Sequence, residues 1–316
     1  MPDELFGVLL MTYGSPTSLD DVPRYLTAVR GGRPPLPDLV AEFTRRYRLI
    51  GGSPLVEITA GQARALEARL GGAARVRAAM RFSPPTILDG LRGLGDDGVR
   101  RVAGIILSPQ YSPLLMSGYG RAVEAAREEL GPTSPDVRIA GAWHREPAFL
   151  EALAGRIRAA LVDAGSELGE PGRAGGSHVL LTAHSLPRRV AEEEPDYIDQ
   201  LAWTATQIAA RAGLADADWT FCWQSAGHEP GEWMKPDFAD LMPVLREAGC
   251  RSVLVAPIQF LADHLEILYD VDVAACQQSE AQGLRFSRIR SLNIEPRFID
   301  ALASVAMATL GSGAAV

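Results

Sequence analysis

Three cysteines (Cys222, Cys250 and Cys276) in 316 residues, widely spaced and without a CxxC pair, exclude a disulfide framework and a thiolate zinc knuckle. No run of about 18 apolar residues occurs, so no transmembrane span is expected. The N-terminal MPDELFGVLLMTYG is acidic ahead of a short apolar run, unlike the basic start of a secretory leader, and a cytoplasmic location is expected. Positive charge is in deficit. Lys and Arg number 31 against 39 Asp and Glu, a formal net charge of −8, which removes any chain-wide reason to bind nucleic acid or an anionic membrane. GxxxxGK[ST] and HExxH are absent, and Gly118-Tyr-Gly-Arg-Ala-Val lacks the third glycine of a dinucleotide loop. Trp223-Gln-Ser-Ala-Gly227 has tryptophan where a nucleophile elbow needs glycine, so Ser225 is not expected to act as a hydrolase nucleophile.

The composition, 47% hydrophobic and 22% charged, is that of a folded globular chain, and the length fits two domains of roughly 150 residues. Short β-rich apolar runs alternate with segments of helical period, the pattern of parallel sheets with crossover helices. The runs predict strands at Phe6–Thr12, Ala74–Met80, Val102–Leu107, Val137–Ala142, His178–Ala183, Thr220–Trp223, Ser252–Ala256 and Phe286–Ile289. A helix is predicted over Thr59–Leu70, with Thr59 and Gln62 at capping-box spacing. Another, over Pro296–Leu310, starts with proline in its first turn and is expected to dock on a sheet. The glycine-rich segment Gly165–Ser177 is the expected interdomain linker.

The halves echo each other. VLLMTYGSP (Val8–Pro16) matches VLLTAHSLP (Val179–Pro187), and RVAGIILSPQYSP from Arg101 has a counterpart in RSVLVAPIQFLAD from Arg251. Two similar α/β lobes are expected, 1–145 and 146–316, each with a four-stranded parallel sheet flanked by helices. Ligands of open parallel sheets bind beyond the carboxyl ends of the strands. Those ends carry Tyr13, the Ser108–Tyr111 turn, His184 and the acidic stretch after Pro257.

His184 opens from a buried strand into a turn, where neutral imidazole can bind a borderline metal such as Fe²⁺ or take a proton near neutral pH. In DHLEILYD, a helix would align Asp263, Glu266 and Asp270 at i, i+3 and i+7, an acidic stripe able to accept protons or pass a hydrated cation. The loop Phe221–Asp237, with two tryptophans among Gly and Pro, suits a wall for a flat apolar ligand or a loop tucked onto the core by Trp233.

Tyr13 in LLMTYGSP, RYRLIGGSPL (Arg46–Leu55), AHSLP (Ala183–Pro187), WQSAG with Trp233 and Pro236, and DHLEILYDVD (Asp263–Asp272) together resemble the ferrochelatase family. The resemblance runs over nearly the whole chain. It implies a chelatase-like fold of two pseudo-symmetric, Rossmann-like lobes with a porphyrin held in the cleft between them. Position by position it implies His184 and Glu266 as metal-flanking, catalytic residues, with Tyr13 approaching the metal from the opposite face. Arg30, Arg46, Tyr47, Ser53 and Tyr119, with Tyr13, fall where the family contacts the porphyrin, and Asp263 and Asp270 fall on a proton or cation path. Either His184 or Glu266 could take the first pyrrole proton.

A tyrosine at position 13 is similar to the soluble bacterial branch that metallates coproporphyrin III. Protoporphyrin IX as substrate, and a carrier that binds tetrapyrrole or haem without inserting metal, are the alternatives. The resemblance implies Fe²⁺ as a substrate, no permanently bound cofactor and a monomer. Three cysteines cannot supply the four thiolates of the iron–sulfur cluster some relatives hold. Two departures stand out: Gly31-Gly32-Arg33 lacks a second arginine adjacent to Arg30, and Ala274 replaces a carboxylate found in some relatives.

Overall fold

Val8, Leu9, Leu10 and Met11 have no exposed surface on either face, the mark of an interior parallel strand. They form the middle of β1 (Phe6–Thr12) in the computed structural model, which describes residues 5–163, 176–227 and 231–311. After β1 come α1 (Val22–Val29), α2 (Pro37–Leu49), α3 (Leu55–Leu70), β2 (Ala74–Met80), α4 (Ile87–Asp96), β3 (Arg101–Ile106), α5 (Pro113–Leu130) and β4 (Asp136–Ile139). The second series is α6 (Pro147–Asp163), β5 (Ser177–His184), α7 (Arg188–Glu193), α8 (Pro195–Ala212), β6 (Trp219–Gln224), α9 (Phe238–Glu247) and β7 (Ser252–Pro257). It ends with α10 (Leu265–Leu268), a π-helical stretch Asp270–Ala275, α11 (Cys276–Ala281), β8 (Arg285–Arg288) and α12 (Pro296–Gly311). No described helix is long and apolar enough to cross a membrane.

The strands form two all-parallel sheets of the same plan, β2-β1-β3-β4 and β6-β5-β7-β8. The echoing segments occupy equivalent strands, β1 with β5 and β3 with β7, so the repeat is structural as well as sequential. Aligning Val8 with Val179 aligns Tyr13 with His184. Thr12 faces Met80 on β2, and His184 faces Gln224 on β6. One step on, Arg81 therefore occupies beside Tyr13 the place that Gln224 holds beside His184.

Two contiguous lobes are not what the chain forms. One compact unit runs to Glu146 and also takes Ala262–Leu265 and the segment from Asn293; the other comprises Pro147–Leu261 and Glu266–Leu292. The helix following β4 thus joins the second unit, where it packs on α8 and β7. The helix following β8 joins the first, packing on α3 and β3, the equivalent elements. These helices carry a third echo, EPAFLEALA (Glu146–Ala154) and EPRFIDALA (Glu295–Ala303), with Phe149 and Phe298 both fully buried. Their apolar faces are so alike because each caps the same kind of sheet.

Two local expectations also need correction. Only Gly176 and Ser177 of the expected linker lie among the described residues; Ser177 opens β5, and the first change of unit falls between Glu146 and Pro147. The third helix begins at Leu55 after Pro54, four residues before the Thr59–Gln62 spacing suggested. Thr59 Oγ1 instead donates back to the Leu55 carbonyl at 2.7 Å, and Gln62 Nε2 donates to the Asn293 carbonyl at 2.8 Å.

Candidate active site

In the second unit, β5 delivers His184 at its carboxyl end, beside the switch point where the sheet order reverses. The His184 backbone N–H donates to Gln259 Oε1 at 2.8 Å. On the ring, Nδ1–H donates to the Ser185 carbonyl, which can only accept, so the bond fixes the tautomer and leaves the Nε2 lone pair outward. Nε2 lies 3.7 Å from Glu266 Oε2, with both side chains about one-third exposed. That spacing is too long for a hydrogen bond and leaves imidazole and carboxylate as two convergent donors.

Each donor is braced by a glutamine. Gln224 is 2% exposed; its Nε2 donates to the Glu266 carbonyl at 3.3 Å, and its Oε1 accepts from Thr182 Oγ1 at 2.6 Å. Gln259, besides holding the His184 N–H, donates through Nε2 to the Tyr197 hydroxyl, a phenol whose pKa is raised by burial. Among the described residues no three His, Cys, Asp or Glu side chains group as a metal centre. What the structure shows here is the pair itself, an imidazole nitrogen and a carboxylate brought together from β5 and the start of α10.

The acidic stripe does not form as expected. The helix starts at Leu265, so Asp263 precedes it, and the wider π-helical turns from Asp270 break the i, i+3, i+7 register. Asp263 is tied to Asn293 twice: its N–H donates to Asn293 Oδ1 at 2.9 Å and its Oδ2 accepts from Nδ2 at 2.8 Å. Asn293 makes this clamp from a left-handed backbone, φ 47°. Asp272, two residues past Asp270, pairs with the Arg288 guanidinium at 2.6 and 3.0 Å.

The Phe221–Asp237 loop is described except for 228–230. A Cβ at Gly227 would sit 2.7 Å from the Trp233 ring, so this glycine is what lets the tryptophan close onto the loop. Trp233 also bridges Pro187, which ties the loop to the turn after His184. Ser225 takes φ 57°, and its Oγ accepts from Gln224 Nε2 at 3.4 Å.

In the first unit, β1 ends at the equivalent point with Tyr13, which is 42% exposed. Its ring meets Phe82 edge-on at 4.5 Å between centroids. The Arg81 guanidinium lies 4.6 Å from the centre of the Phe82 ring and 5.4 Å from that of Tyr119, which is buried on α5 with its phenol pKa raised by that burial. Gly14, at φ 91°, forms the turn; a Cβ there would strike Ser83 Oγ at 2.4 Å.

The remaining expected contacts lie on other elements of this unit. Arg30 is exposed at the end of α1, Arg46 and the buried Tyr47 lie on α2, and Ser53 Oγ accepts from the Leu55 N–H at 3.4 Å. Arg46 is engaged at 2.7 Å with Glu42, whose carboxyl Arg45 and Arg46 together hold down at about 2. The structure thus joins Tyr13 to Tyr119 through Phe82 and Arg81, and joins His184 to Glu266. The sequence pattern assigns no individual role to Arg81, to Gln259 or to Gln224 within WQSAG. The signal was positional: each stands just beyond or at the end of a strand adjoining β1 or β5.

A family model described as ferrochelatase matches residues 6–310. A ferrochelatase of Deinococcus radiodurans is 40% identical over 303 residues, covering 95% of this chain and 94% of that protein. A coproporphyrin III ferrochelatase of Geobacillus kaustophilus is 39% identical over 308 residues, covering 95% of each. Among solved structures, SirB from Bacillus subtilis with Fe3+ aligns at a TM-score of 0.61 over 97% of this chain and 96% of its own, with 12% identity, a likeness of fold.

Proposed function

The chain belongs to the ferrochelatase family, and from that membership we propose that it inserts Fe²⁺ into coproporphyrin III to form the iron coproporphyrin of haem synthesis. Metallation removes two pyrrole protons and strips water from the ion, so it needs a base, a borderline ligand and a proton outlet. The observation that carries the reading is the His184–Glu266 pair at 3.7 Å with its tautomer fixed. Nε2 has a free lone pair for a pyrrole proton or for Fe²⁺, and the Glu266 carboxylate offsets the resulting positive charge. Gln224 and Gln259 hold the two groups so that little reorganisation is needed as charge develops.

Protons leave through Glu266 toward Asp270, while Asp263, held by Asn293, shapes the turn ahead of Glu266. By the family resemblance Tyr13 would contact the metal, and Arg30, Arg46, Tyr47, Ser53 and Tyr119 would receive the ring and its propionates. Four propionates ask for several such donors. Iron is a substrate in this reading, with no resident cofactor. The working form in this proposal is a cytoplasmic monomer.

The test is anaerobic metallation of coproporphyrin III and protoporphyrin IX side by side, following the Soret and visible bands with Fe²⁺. Faster turnover of coproporphyrin III is expected. A preference for protoporphyrin IX would overturn the substrate, and tight binding without metallation by either ring would make the protein a carrier.

A further inference from the structure

Arg81 extends from β2, where its N–H donates to the Thr12 carbonyl at 2.9 Å and that of Phe82 to the Tyr13 carbonyl at 3.1 Å. The side chain is half-buried and makes no ion pair or hydrogen bond with any described residue; its guanidinium lies against the rings of Phe82 and Tyr119. The chain makes room for it there. A Cβ at Gly118 would stand 1.9 Å from Nη2 and 2.1 Å from Cζ, so the head fills a space that only glycine leaves open. A partly desolvated cation with no carboxylate beside it costs free energy unless an anion arrives. Its counterpart in the other sheet, Gln224, braces the donor pair through the Glu266 carbonyl.

We infer that Arg81 is a substrate-contacting, specificity-determining residue that binds one peripheral carboxylate of the tetrapyrrole in the Tyr13–Tyr119 patch. This deepens the proposed function and rests on it. A planar guanidinium pinned by two rings presents its N–H fork with its rotamers already restricted, so a carboxylate can dock without ordering the arm first. The charge selects rings bearing a carboxylate at that edge.

The experiment is fluorescence titration of wild-type protein and of Arg81→Gln, Arg81→Lys and Gly118→Ala, each with coproporphyrin III and with its tetramethyl ester. Arg81→Gln should weaken coproporphyrin III about tenfold, the scale of one charge-assisted bond, and leave the ester within twofold. Arg81→Lys, which keeps the charge, should recover part of the loss. Gly118→Ala keeps the arginine but displaces its head from the two rings, and should resemble Arg81→Gln at an unchanged melting temperature. Unchanged coproporphyrin III binding by Arg81→Gln, or an equal loss for the ester, would overturn the inference. Failure of the wild type to bind either ring would instead overturn the porphyrin reading itself.

Discussion

The central strands β1 and β5 end at the same point of the same sheet plan, and they end differently. One delivers Tyr13 into a patch of aromatic rings and an arginine; the other delivers His184 to a carboxylate, with both groups braced by glutamines. The framework around them is shared down to the capping helix, where Glu146–Ala154 and Glu295–Ala303 read almost alike. The repeat has therefore kept the residues that build sheets and diverged at those that stand past the strand ends. Under the proposed function, the first unit's strand end would meet a flat, anionic ring and the second's would handle protons and a cation. Function in such a fold lies in the strand-end side chains and not in the architecture.

That division can be broken most sharply at His184. His184→Ala removes the Nε2 lone pair and the partner of Glu266 while leaving the first unit untouched. Metallation should fall about 10³-fold, the scale of losing a positioned base, while the porphyrin dissociation constant changes less than threefold. Stopped-flow absorbance and equilibrium fluorescence would measure the two. A comparable loss of binding would mean that the second unit also holds the ring, and unchanged turnover would remove His184 from the chemistry.

The opposite end gives a smaller and different signature. Tyr13→Phe keeps the edge contact with Phe82 and deletes only the hydroxyl. The absorption spectrum of the bound iron product should change and its affinity should fall about tenfold, with turnover reduced less than in His184→Ala. An identical product spectrum would exclude Tyr13 as an axial ligand. The two variants together test whether binding and chemistry are divided between the units as their strand ends suggest.

Much of this was legible in the sequence because it depends on local pattern. All eight strands lie within three residues of the apolar runs that predict them, since a fully buried parallel strand is nearly continuous in Val, Ile, Leu and Ala. Tyr13 and His184 stand out in the sequence by the turns that follow their strands, and Glu266 by its spacing from Asp263 and Asp270. What was not legible depends on distant partners. The capping helices join the opposite unit, which no local period reveals, and Asp263 left the expected stripe because Asn293, 30 residues later, holds it. Arg81 is illegible locally for a similar reason: its setting is made by Gly118 and Tyr119, more than 35 residues away.

The smallest test falls where the two capping segments differ. His144 occupies the place Asn293 holds in the other repeat, since each lies three residues ahead of the helix-opening proline. His144 is buried, and that burial, with the nearby charge of Arg145, lowers its pKa from 6.5 to about 4. Between those values the unfolded chain binds a proton that the folded protein does not, so stability falls as pH drops through 6.5 and levels off below about 4. The full loss is on the order of 3 kcal/mol by the linkage relation. Melting temperatures of wild type and His144→Asn, measured from pH 7 to 4.5, should show the wild type losing ground relative to the variant on acidification, because the asparagine has no proton to gain. His178, also lowered by burial, titrates in both proteins and cancels in the difference. Parallel curves would show that His144 reaches solvent when charged, and that the two capping segments differ in sequence without differing in how they respond to acid.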